Sequence, residues 1–471
     1  MTRPDQAPAI RLPNEVRVIN VGLPLFADAL RNQHTPVTDV DWRIPAGGDE
    51  QLVAALTRLL GPKAARIDAA NARVLNRLNA SPIVRTVERA GDVIEGLDER
   101  SLLHCGPPIT WDDMIDPLRR SATAAIVSEG WADDVEAAAM LASSGEVTFK
   151  PANEHRTVVP MATILGPSAP VYVVENPTGG TTAFSSINQG AGDAPWFGVN
   201  NDAAIERLNL IRDAVAPVLA HALARHGGID ILSLAAQGVT MADDVHMRIQ
   251  ATTNLLLRDL LPALVRSSHP LTAVAADFLS GNPLTTLTMA MAAAKTLVDA
   301  AAQVEGASIV TTMARNGTGF GIKLGNQPWV VSEAQPIKSA LFRPGFGPDV
   351  AAPDIGDSAV LELIGLGAAV AGNTPAAATF VGGPAAALEI TEDMRCISAG
   401  ESERFRMPYL GDRRAPMGLD VRRIAELSIT PVISTGIVHA TDGIGQIGAG
   451  LARAPLACFV QATLELDERT A

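Results

Sequence analysis

The chain opens with two short apolar runs on either side of a helical pattern. Residues 16–21 and 37–42 are rich in β-branched side chains, and residues 25–32 between them have helical character. A strand, a helix and a second strand in this order are typical of a parallel βαβ unit. The pattern therefore predicts a Rossmann-like unit at the start of the chain.

Helical periodicity dominates the chain that follows, above all its middle. Apolar positions recur at helical spacing in residues 50–60, 64–79, 133–143, 203–225, 243–266 and 284–305. Strand-like runs occupy residues 147–149, 158–165, 171–174 and 432–438. This texture predicts an α/β protein, with an N-terminal Rossmann-like βαβ domain followed by a larger α/β domain that has a helix-rich middle.

The 471 residues exceed the usual size of one domain. Glycine and proline interrupt the helical patterns near residues 105–120. The pattern of apolar residues changes again where the long predicted helices begin. We predict a Rossmann-like α/β domain at 1–115, an α/β segment with long loops at 116–240, and a helix-rich, then Gly-rich, α/β domain at 241–471.

The composition and the net charge of the chain exclude some classes of protein. Hydrophobic residues make up 47% of the chain, and the formal net charge is −14. A chain this acidic without a basic face is a poor partner for nucleic acid. The start of the chain shows no secretory pattern, and the longest uncharged stretch, residues 363–388, is broken by five glycines and two prolines. We therefore predict a cytoplasmic protein that does not enter a membrane.

The first candidate site lies at residues 240–248, TMADDVHMR. If Thr240 opens a helix, Asp243 and His246 share a face with Gln250, while Asp244 and Arg248 share the neighbouring face. A carboxylate, an imidazole and a guanidinium would then meet one small ligand. Capping of a helix start by Thr240 and Asp243 is the structural alternative.

Residues 314–323, ARNGTGFGIK, form the second candidate. Asn-Gly is a strong hairpin signal, so a tight turn is the simplest interpretation. Arg315, Asn316 and Lys323 also flank a Gly-rich loop whose amides could bind a small anion.

Two further segments carry candidate chemistry. Asp354 and Asp357 are close enough in sequence to act as an acid and a base, although Asp357 or Ser358 could instead cap the helix predicted at 359–366. The segment 443–448 matches G-x-G-x-x-G, but the chain after it is too short for a dinucleotide-binding unit. The glycines Gly445 and Gly448 remain candidates for holding a carboxylate or a phosphate. No spacing of Cys or His predicts a metal site or a cofactor.

Blocks along nearly the whole chain resemble the YlbE/YahG-like family, which includes the large component of a bacterial oxamate carbamoyltransferase system. The resemblance is carried by segments such as VINVGLPLFADAL, EGWADDVEAAAMLASSGEV, MADDVHMRIQATTNLLLRDLLPAL, NPLTTLTMAMAAAK, ARNGTGFGIKL, PDIGDSAVLELIGLG and PVISTGIVHATDGIGQIGAG. It implies carbamoyl transfer between carbamoyl phosphate and oxamate, or phosphorolysis of oxalurate in purine catabolism, with an FdrA-like partner subunit and no cofactor. We also expect a homo-oligomer.

On this resemblance, Asp243, Asp244 and His246 are candidate catalytic residues that handle the proton. The candidate substrate-binding residues are Arg248, Asn282, Arg315, Asn316, Lys323, Asp354, Asp357, Gly445 and Gly448. The family pattern N-E-G-x-G-K followed by an arginine is replaced here by NQGAGDAPW at residues 188–196, which removes a carboxylate and two cations. A different acyl donor, or water as acceptor, therefore stays open. So do an amidohydrolase and a non-catalytic assembly subunit.

Overall fold

The computed structural model describes residues 16–40, 44–337, 339–376 and 378–470. The chain divides between Asp49 and Glu50 into two compact units. The three predicted domains at 1–115, 116–240 and 241–471 stay a prediction about which segments fold independently.

The smaller unit contains the predicted βαβ arrangement. Strand β1 (Val18–Val21) leads into helix α1 (Pro24–Arg31) and then into strand β2 (Val37–Val40). The two strands pair in parallel, with Val18 opposite Val37. Proline at the first position of α1 suits a helix start, because its φ is already helical. The last predicted residues of the second strand, 41 and 42, lie outside the described residues.

The larger unit is rich in helices, in agreement with the periodicity of its sequence. Its described helices are α2 (Glu50–Leu60), α3 (Ala64–Leu78), α4 (Ala90–Val93), α5 (Asp116–Ser128), α6 (Val135–Ser143), α7 (Asp202–Leu210), α8 (Ala216–His226), α9 (Ile231–Thr240), α10 (Gln250–Val265), α11 (Thr272–Gly281), α12 (Thr285–Ala302), α13 (Val360–Leu363), α14 (Pro384–Ile397), α15 (Val421–Leu427) and α16 (Leu456–Arg469). A π-helical turn, Ile211–Val215, joins α7 to α8.

The strands of the larger unit form several small sheets. They are β3 (Ile83–Arg89), β4 (Ser101–His104), β5 (Thr148–Pro151), β6 (Pro170–Asn176), β7 (Thr181–Ser186), β8 (Thr312–Asn316), β9 (Gly319–Lys323), β10 (Val330–Glu333), β11 (Ser339–Phe342), β12 (Ile355–Gly356), β13 (Ser398–Met407), β14 (Arg413–Leu419), β15 (Val432–Val438) and β16 (Gln446–Arg453). The sheet orders are β3-β6-β7, β4-β5, β10-β9-β8-β12, β11-β16-β15 and β13-β14. The molecule is thus a mixed α/β protein, as predicted.

Helix α12 lies in the interior of the larger unit. Nearly all of its side chains are buried, and it contacts α3, α9, β6 and β7. A helix that buries side chains on all its faces can only be accommodated in a core. Its one lysine, Lys295, is neutralised by Asp299, with Nζ 2.7 Å from Oδ1.

Two apolar stretches differ in how far their structure follows the sequence pattern. Residues 158–165 have a strand-like pattern but make only one isolated bridge, between Leu165 and Leu103, because Pro160 lacks an N–H and Met161 has a left-handed φ of 50°. The described residues of the uncharged stretch 363–388 form short helical turns and the start of α14, as its glycines indicate. None of the described helices has the length and apolarity needed to cross a membrane.

Candidate functional site

Residues 241–249 form a loop, and the prediction of a helix beginning at Thr240 is wrong. Helix α9 ends at Thr240, and α10 begins at Gln250. Ala242 and Val245 between them have left-handed φ angles of 70° and 61°, which a continuous helix does not allow. The side chains in this segment therefore do not share helix faces.

The two carboxylates of this loop organise the backbone around them. Asp244 Oδ1 accepts hydrogen bonds from the N–H groups of His246 (2.9 Å) and Arg248 (2.8 Å), which closes the loop. Asp243 Oδ2 accepts from the N–H (2.7 Å) and the hydroxyl (2.9 Å) of Thr252, which lies in the first turn of α10. Burial raises the pKa of both aspartates, and these backbone bonds partly oppose it. The capping alternative is also wrong as stated, because no helix begins at Thr240, and Asp243 instead holds the first turn of α10.

His246 is held by a carboxylate that lies far away in sequence. Its Nδ1 is 2.8 Å from Glu362 Oε1, and the two side chains are 5% and 0% exposed. Glu362 Oε1 also accepts from the Ser434 N–H, at 3.1 Å. Nε2 of His246 makes no hydrogen bond to any described residue. A carboxylate on Nδ1 sets the orientation of the ring and leaves Nε2 for a ligand.

The backbone next to this pair leaves room only for glycine. Gly367 has a left-handed φ of 59°, and a Cβ at this position would lie 2.1 Å from Glu362 Oε1 and 3.1 Å from His246 Nδ1. Its N–H donates to the carbonyl of Asp244, at 2.8 Å. Gly367 therefore joins the histidine loop to the segment that follows α13.

Arg315 lies in strand β8 of the predicted hairpin and forms a buried ion pair with Asp354. Its Nε donates to Asp354 Oδ2 at 2.7 Å, and its Nη1 donates to the Gly356 carbonyl at 2.7 Å. Both side chains are almost wholly buried. Burial alone would lower the pKa of Arg315, but the attraction of Asp354 raises it overall, so the guanidinium stays charged. The N–H groups of the Arg315 guanidinium therefore donate to other residues of the protein, Asp354 and Gly356.

The other hairpin residues have local partners. The register places Phe320 opposite Arg315 and Thr312 opposite Lys323, so Arg315 and Lys323 point to opposite faces. The Lys323 ammonium lies 5.5 Å from the ring centre of Trp329, and burial lowers its pKa. Asn316 accepts from Gly319 N and donates to the Pro107 carbonyl. The tight turn is confirmed, and the two cations are not brought together.

Asp357 binds two backbone segments instead of capping α13. Its Oδ1 accepts from Gly106 N at 2.8 Å, and its Oδ2 accepts from Val159 N at 3.0 Å. Gly106 has a φ of 80°, and a Cβ there would lie 2.7 Å from the carbonyl carbon of Arg315. Burial raises the pKa of Asp357 to about 7, although both amides oppose the rise.

This pKa predicts a particular pH dependence of stability. The ordinary pKa of the group is 3.8, so the folded state retains its proton up to about pH 7 whereas the unfolded chain loses it near pH 4. The stability from the protonated form should therefore fall as pH rises through this window, by on the order of a few kcal/mol. Urea unfolding from pH 4 to 8 should show a smaller slope for Asp357→Asn than for wild type. The exposed Asp349→Asn should keep the wild-type slope, and an unchanged slope in Asp357→Asn would contradict the assignment.

Two adjacent residues of β15 connect the histidine and the arginine. Ser434 N binds Glu362, while Thr435 Oγ1 donates to Asp354 Oδ1 at 3.0 Å. The hydrogen-bonded pair His246–Glu362 and the ion pair Arg315–Asp354 therefore belong to one buried polar network. That His246, Arg315 and Asp354 line a single cavity stays a prediction.

The remaining candidate residues occupy other positions. Arg248, with a side chain that is 35% exposed, lies 3.7 Å from Asp243 Oδ1. Asn282 donates to the carbonyl and the side chain of Asn188, both at 3.1 Å. Gly445 lies in the turn between β15 and β16, and Gly448 pairs with Ile437 inside the sheet. The G-x-G-x-x-G segment is thus a hairpin and not the strand-to-helix turn of a dinucleotide site.

Glu362 is a candidate site residue that sequence reasoning missed. The sequence places it one turn into a predicted helix and gives no reason to assign it to a site. The available signal is its surroundings, because it is the only charged residue in the apolar run 359–371. A lone acid in such a run is buried when the run is buried, and it then needs a partner. Within the described residues, no group of three or more His, Cys, Asp or Glu is arranged to hold a metal ion.

Comparison with known proteins identifies the relatives of this chain. The family model "Oxamate carbamoyltransferase subunit AllG" matches residues 147–358. The uncharacterized protein YahG of Escherichia coli K12 is 36% identical over 467 residues, 96% of this chain and 98% of that protein. The oxamate carbamoyltransferase subunit AllG of the same organism is 40% identical over 408 residues, 85% of this chain and 97% of that protein.

A solved structure has the same fold. It is the crystal structure of a conserved protein of unknown function from Enterococcus faecalis V583, with a TM-score of 0.83 and 34% identity, covering 85% of this chain and 97% of that one. The chain therefore belongs to the AllG/YahG-like family.

Proposed function

We propose that this protein takes part in carbamoyl transfer between phosphate and a small amide acid such as oxamate. Support comes from the relative that is named an oxamate carbamoyltransferase subunit, which matches 85% of the chain at 40% identity. The colinear blocks of sequence and the family model over residues 147–358 point the same way.

The observation that carries a catalytic role is the buried His246–Glu362 pair. In the forward reaction the amide nitrogen of oxamate attacks the carbonyl carbon of carbamoyl phosphate. A C–N bond forms, the C–O bond to phosphate breaks, and the amide nitrogen loses a proton. His246 Nε2 accepts that proton, and Glu362 stabilises the resulting imidazolium. In phosphorolysis of oxalurate the same imidazolium returns the proton to the leaving nitrogen.

The other candidate residues have different parts in this proposal. Asp243 and Asp244 shape the loop that presents His246, and the Arg315–Asp354 pair positions β15 and, through it, Glu362. Arg248 has the partly exposed cation of this loop and is our candidate to bind the anionic end of the substrate. Asn282, Asn316, Lys323, Asp357, Gly445 and Gly448 maintain the fold around these groups.

A second candidate function is assembly. The relative AllG is named a subunit, which favours a role in organising partners, one of them resembling FdrA. In that case the chemistry would belong to a partner, and the His246–Glu362 pair would be structural.

The deciding experiment measures phosphate release from carbamoyl phosphate, with and without oxamate, by the chain alone and with an FdrA-like partner. We expect oxamate-dependent release when the partner is present. Formation of oxalurate should match the phosphate released. Oxamate-independent release faster than the spontaneous breakdown of carbamoyl phosphate without protein would instead indicate water as the acceptor, and no release above that rate under any condition would overturn the proposed function.

A further inference from the structure

The smaller unit buries almost none of its own side chains. Within its described residues, 16–40 and 44–49, only Ala27 and Ala46 are buried. Even Val18 and Val37, which pair across β1 and β2, are only half-buried. A two-stranded sheet with one helix is marginal at best in water, because it removes too little apolar surface from solvent. The unit therefore needs another apolar surface to cover it.

The uncovered surface of this unit is one face of its sheet. Val18 and Val37 lie on the half-buried face, toward α1, which contacts both strands. Ile19, Val21 and Val40 therefore point to the opposite face, because successive side chains of a strand alternate. Parallel sheets are normally covered on both faces, and within the described residues of this unit only α1 supplies a cover.

More apolar side chains lie at the carboxyl edge of the same sheet. Val21 and Val40 are the last residues of β1 and β2, and parallel strands end at the same edge. The exposed residues that follow the strands there are Leu23, Leu25, Phe26 and Ile44. We call the uncovered face and this edge the apolar patch, which consists of Ile19, Val21, Leu23, Leu25, Phe26, Val40 and Ile44.

We propose that the apolar patch packs against the same patch of a second copy of this chain. The smaller unit is then the dimerisation element of the protein, and it folds fully only in the dimer. This inference goes beyond the proposed function and does not depend on it.

The area of the apolar patch suits a dimer. Its members are 40% to 71% exposed. A fully exposed apolar side chain presents on the order of 100 Å², so the patch presents roughly 400 Å². One partner of a standard interface contributes about 800 Å², of which about 65% is apolar in homodimers, or roughly 500 Å². The patch thus supplies most of the apolar area that a stable dimer needs.

Apolar exposure is also concentrated in this unit. Its described residues expose eight large apolar side chains, against thirteen in the described part of the much longer larger unit. Contiguous apolar patches of several hundred Å² mark interaction sites, whereas single exposed apolar residues do not.

The chemistry of the patch favours a second copy as its occupant. Arg31 pairs with Asp28 and Asp39, and Asn20 Nδ2 donates to Asp39 Oδ1 at 3.0 Å, so these polar groups already have partners within the unit. No member of the patch is charged, and it therefore suits another apolar surface. The unit needs its cover whenever it is folded. A second copy is always available, and two identical patches fit each other across a two-fold axis.

The test combines the molar mass of the full chain in solution with hydrogen exchange of the amides of residues 18–40. Both are measured from about 0.1 to 100 μM, since interfaces of this size have micromolar or tighter affinity. We expect the mass of a dimer and slow exchange at high concentration. On dilution the mass should halve and exchange should become fast together, because the unit loses its cover. Salt should strengthen the dimer by screening the repulsion between two chains of charge −14.

Phe26→Glu is expected to raise the dissociation constant of the dimer at least about tenfold, because the interface would remove its carboxylate from water. Val265→Glu is the matched control, since Val265 is 74% exposed on α10 and lies outside the patch. This control should keep the wild-type dissociation constant. Both substitutions are at exposed positions, so the melting temperature of the larger unit should not change.

A monomeric mass at every concentration would contradict the proposal. Slow exchange of residues 18–40 in that monomer would mean that the same chain covers the patch. Exchange that slows only when an FdrA-like subunit is added would mean that this subunit covers it. A wild-type dissociation constant in Phe26→Glu would likewise reject the patch as the dimer interface.

Discussion

Replacing His246 with asparagine is expected to lower turnover in the carbamoyl-transfer assay by a factor of about 100 to 10,000, the usual contribution of a general acid or base. Asparagine places an N–H near the position of Nδ1 and so preserves the bond to Glu362, but it has no Nε2 to exchange a proton. Binding of oxamate should change little, so the loss should be in kcat rather than in KM.

The matched control is His226, which also faces a carboxylate, with Nε2 3.2 Å from Asp259 Oδ2, but is partly exposed. His226→Asn should retain wild-type turnover. His246→Ala is a weaker test, because it leaves the buried Glu362 without its partner and is expected to cost about 1–3 kcal/mol of stability. Wild-type turnover in His246→Asn, with the partner subunit present, would remove His246 from the mechanism.

The variant Glu362→Gln tests whether Glu362 positions and stabilises His246 during the reaction or has only a structural role. An amide can still accept from Nδ1–H, but it does not stabilise an imidazolium by charge. The pH profile of kcat should therefore change even if the variant melts normally. A lower kcat with an unchanged profile would mean that Glu362 has a packing role only.

Replacing Asp354 with alanine is expected to lower the free energy of unfolding by about 3–5 kcal/mol, the cost of leaving one partner of a buried ion pair uncompensated. Arg315 is 0% exposed and retains its charge, and its other partners are a carbonyl and two hydroxyls at 3.4 to 3.5 Å. Urea unfolding followed by tryptophan fluorescence measures the loss.

An exposed ion pair of similar length provides the comparison. Arg85 Nε lies 2.8 Å from Glu175 Oε2, with side chains that are 40% and 48% exposed. Glu175→Ala should cost less than about 1 kcal/mol, because solvent compensates both charges. If Asp354→Ala lowered the free energy of unfolding no more than Glu175→Ala does, another group would have to neutralise Arg315. The polar network joined by β15 would then be wrong.

Most of the local structure could be predicted from periodicity. The βαβ start, helices α2, α3, α7, α8 and α12, strand β15 and the hairpin around Asn316 all appear where the pattern places them. Besides residues 158–165, the prediction failed at residues 241–249, where a helical pattern adopts a loop. There Asp244 supplies local acceptors for two backbone N–H groups, and a residue with such a side chain competes with the helix for its own backbone.

Sequence reasoning also identified His246, Arg315, Asp354 and Asp357 as residues with unusual chemistry, but it could not assign their partners. His246 and Glu362 are 116 positions apart, and Asp357 and Gly106 are 251 apart. Periodicity reports only on neighbours within a few turns of one element. A contact between two elements depends on how their apolar faces pack. The spacing of residues within one element does not report on that packing.

The sequence by itself determined the secondary structure of most segments, the α/β class and the family, because each of these follows from local pattern or from colinear similarity. Only the tertiary structure decided that Glu362 holds His246, that Arg315 is neutralised by Asp354, and that Ser434 and Thr435 join the two pairs. The physical reason is burial. A charge removed from water must find a partner in the folded chain, and the fold alone determines which groups are within reach.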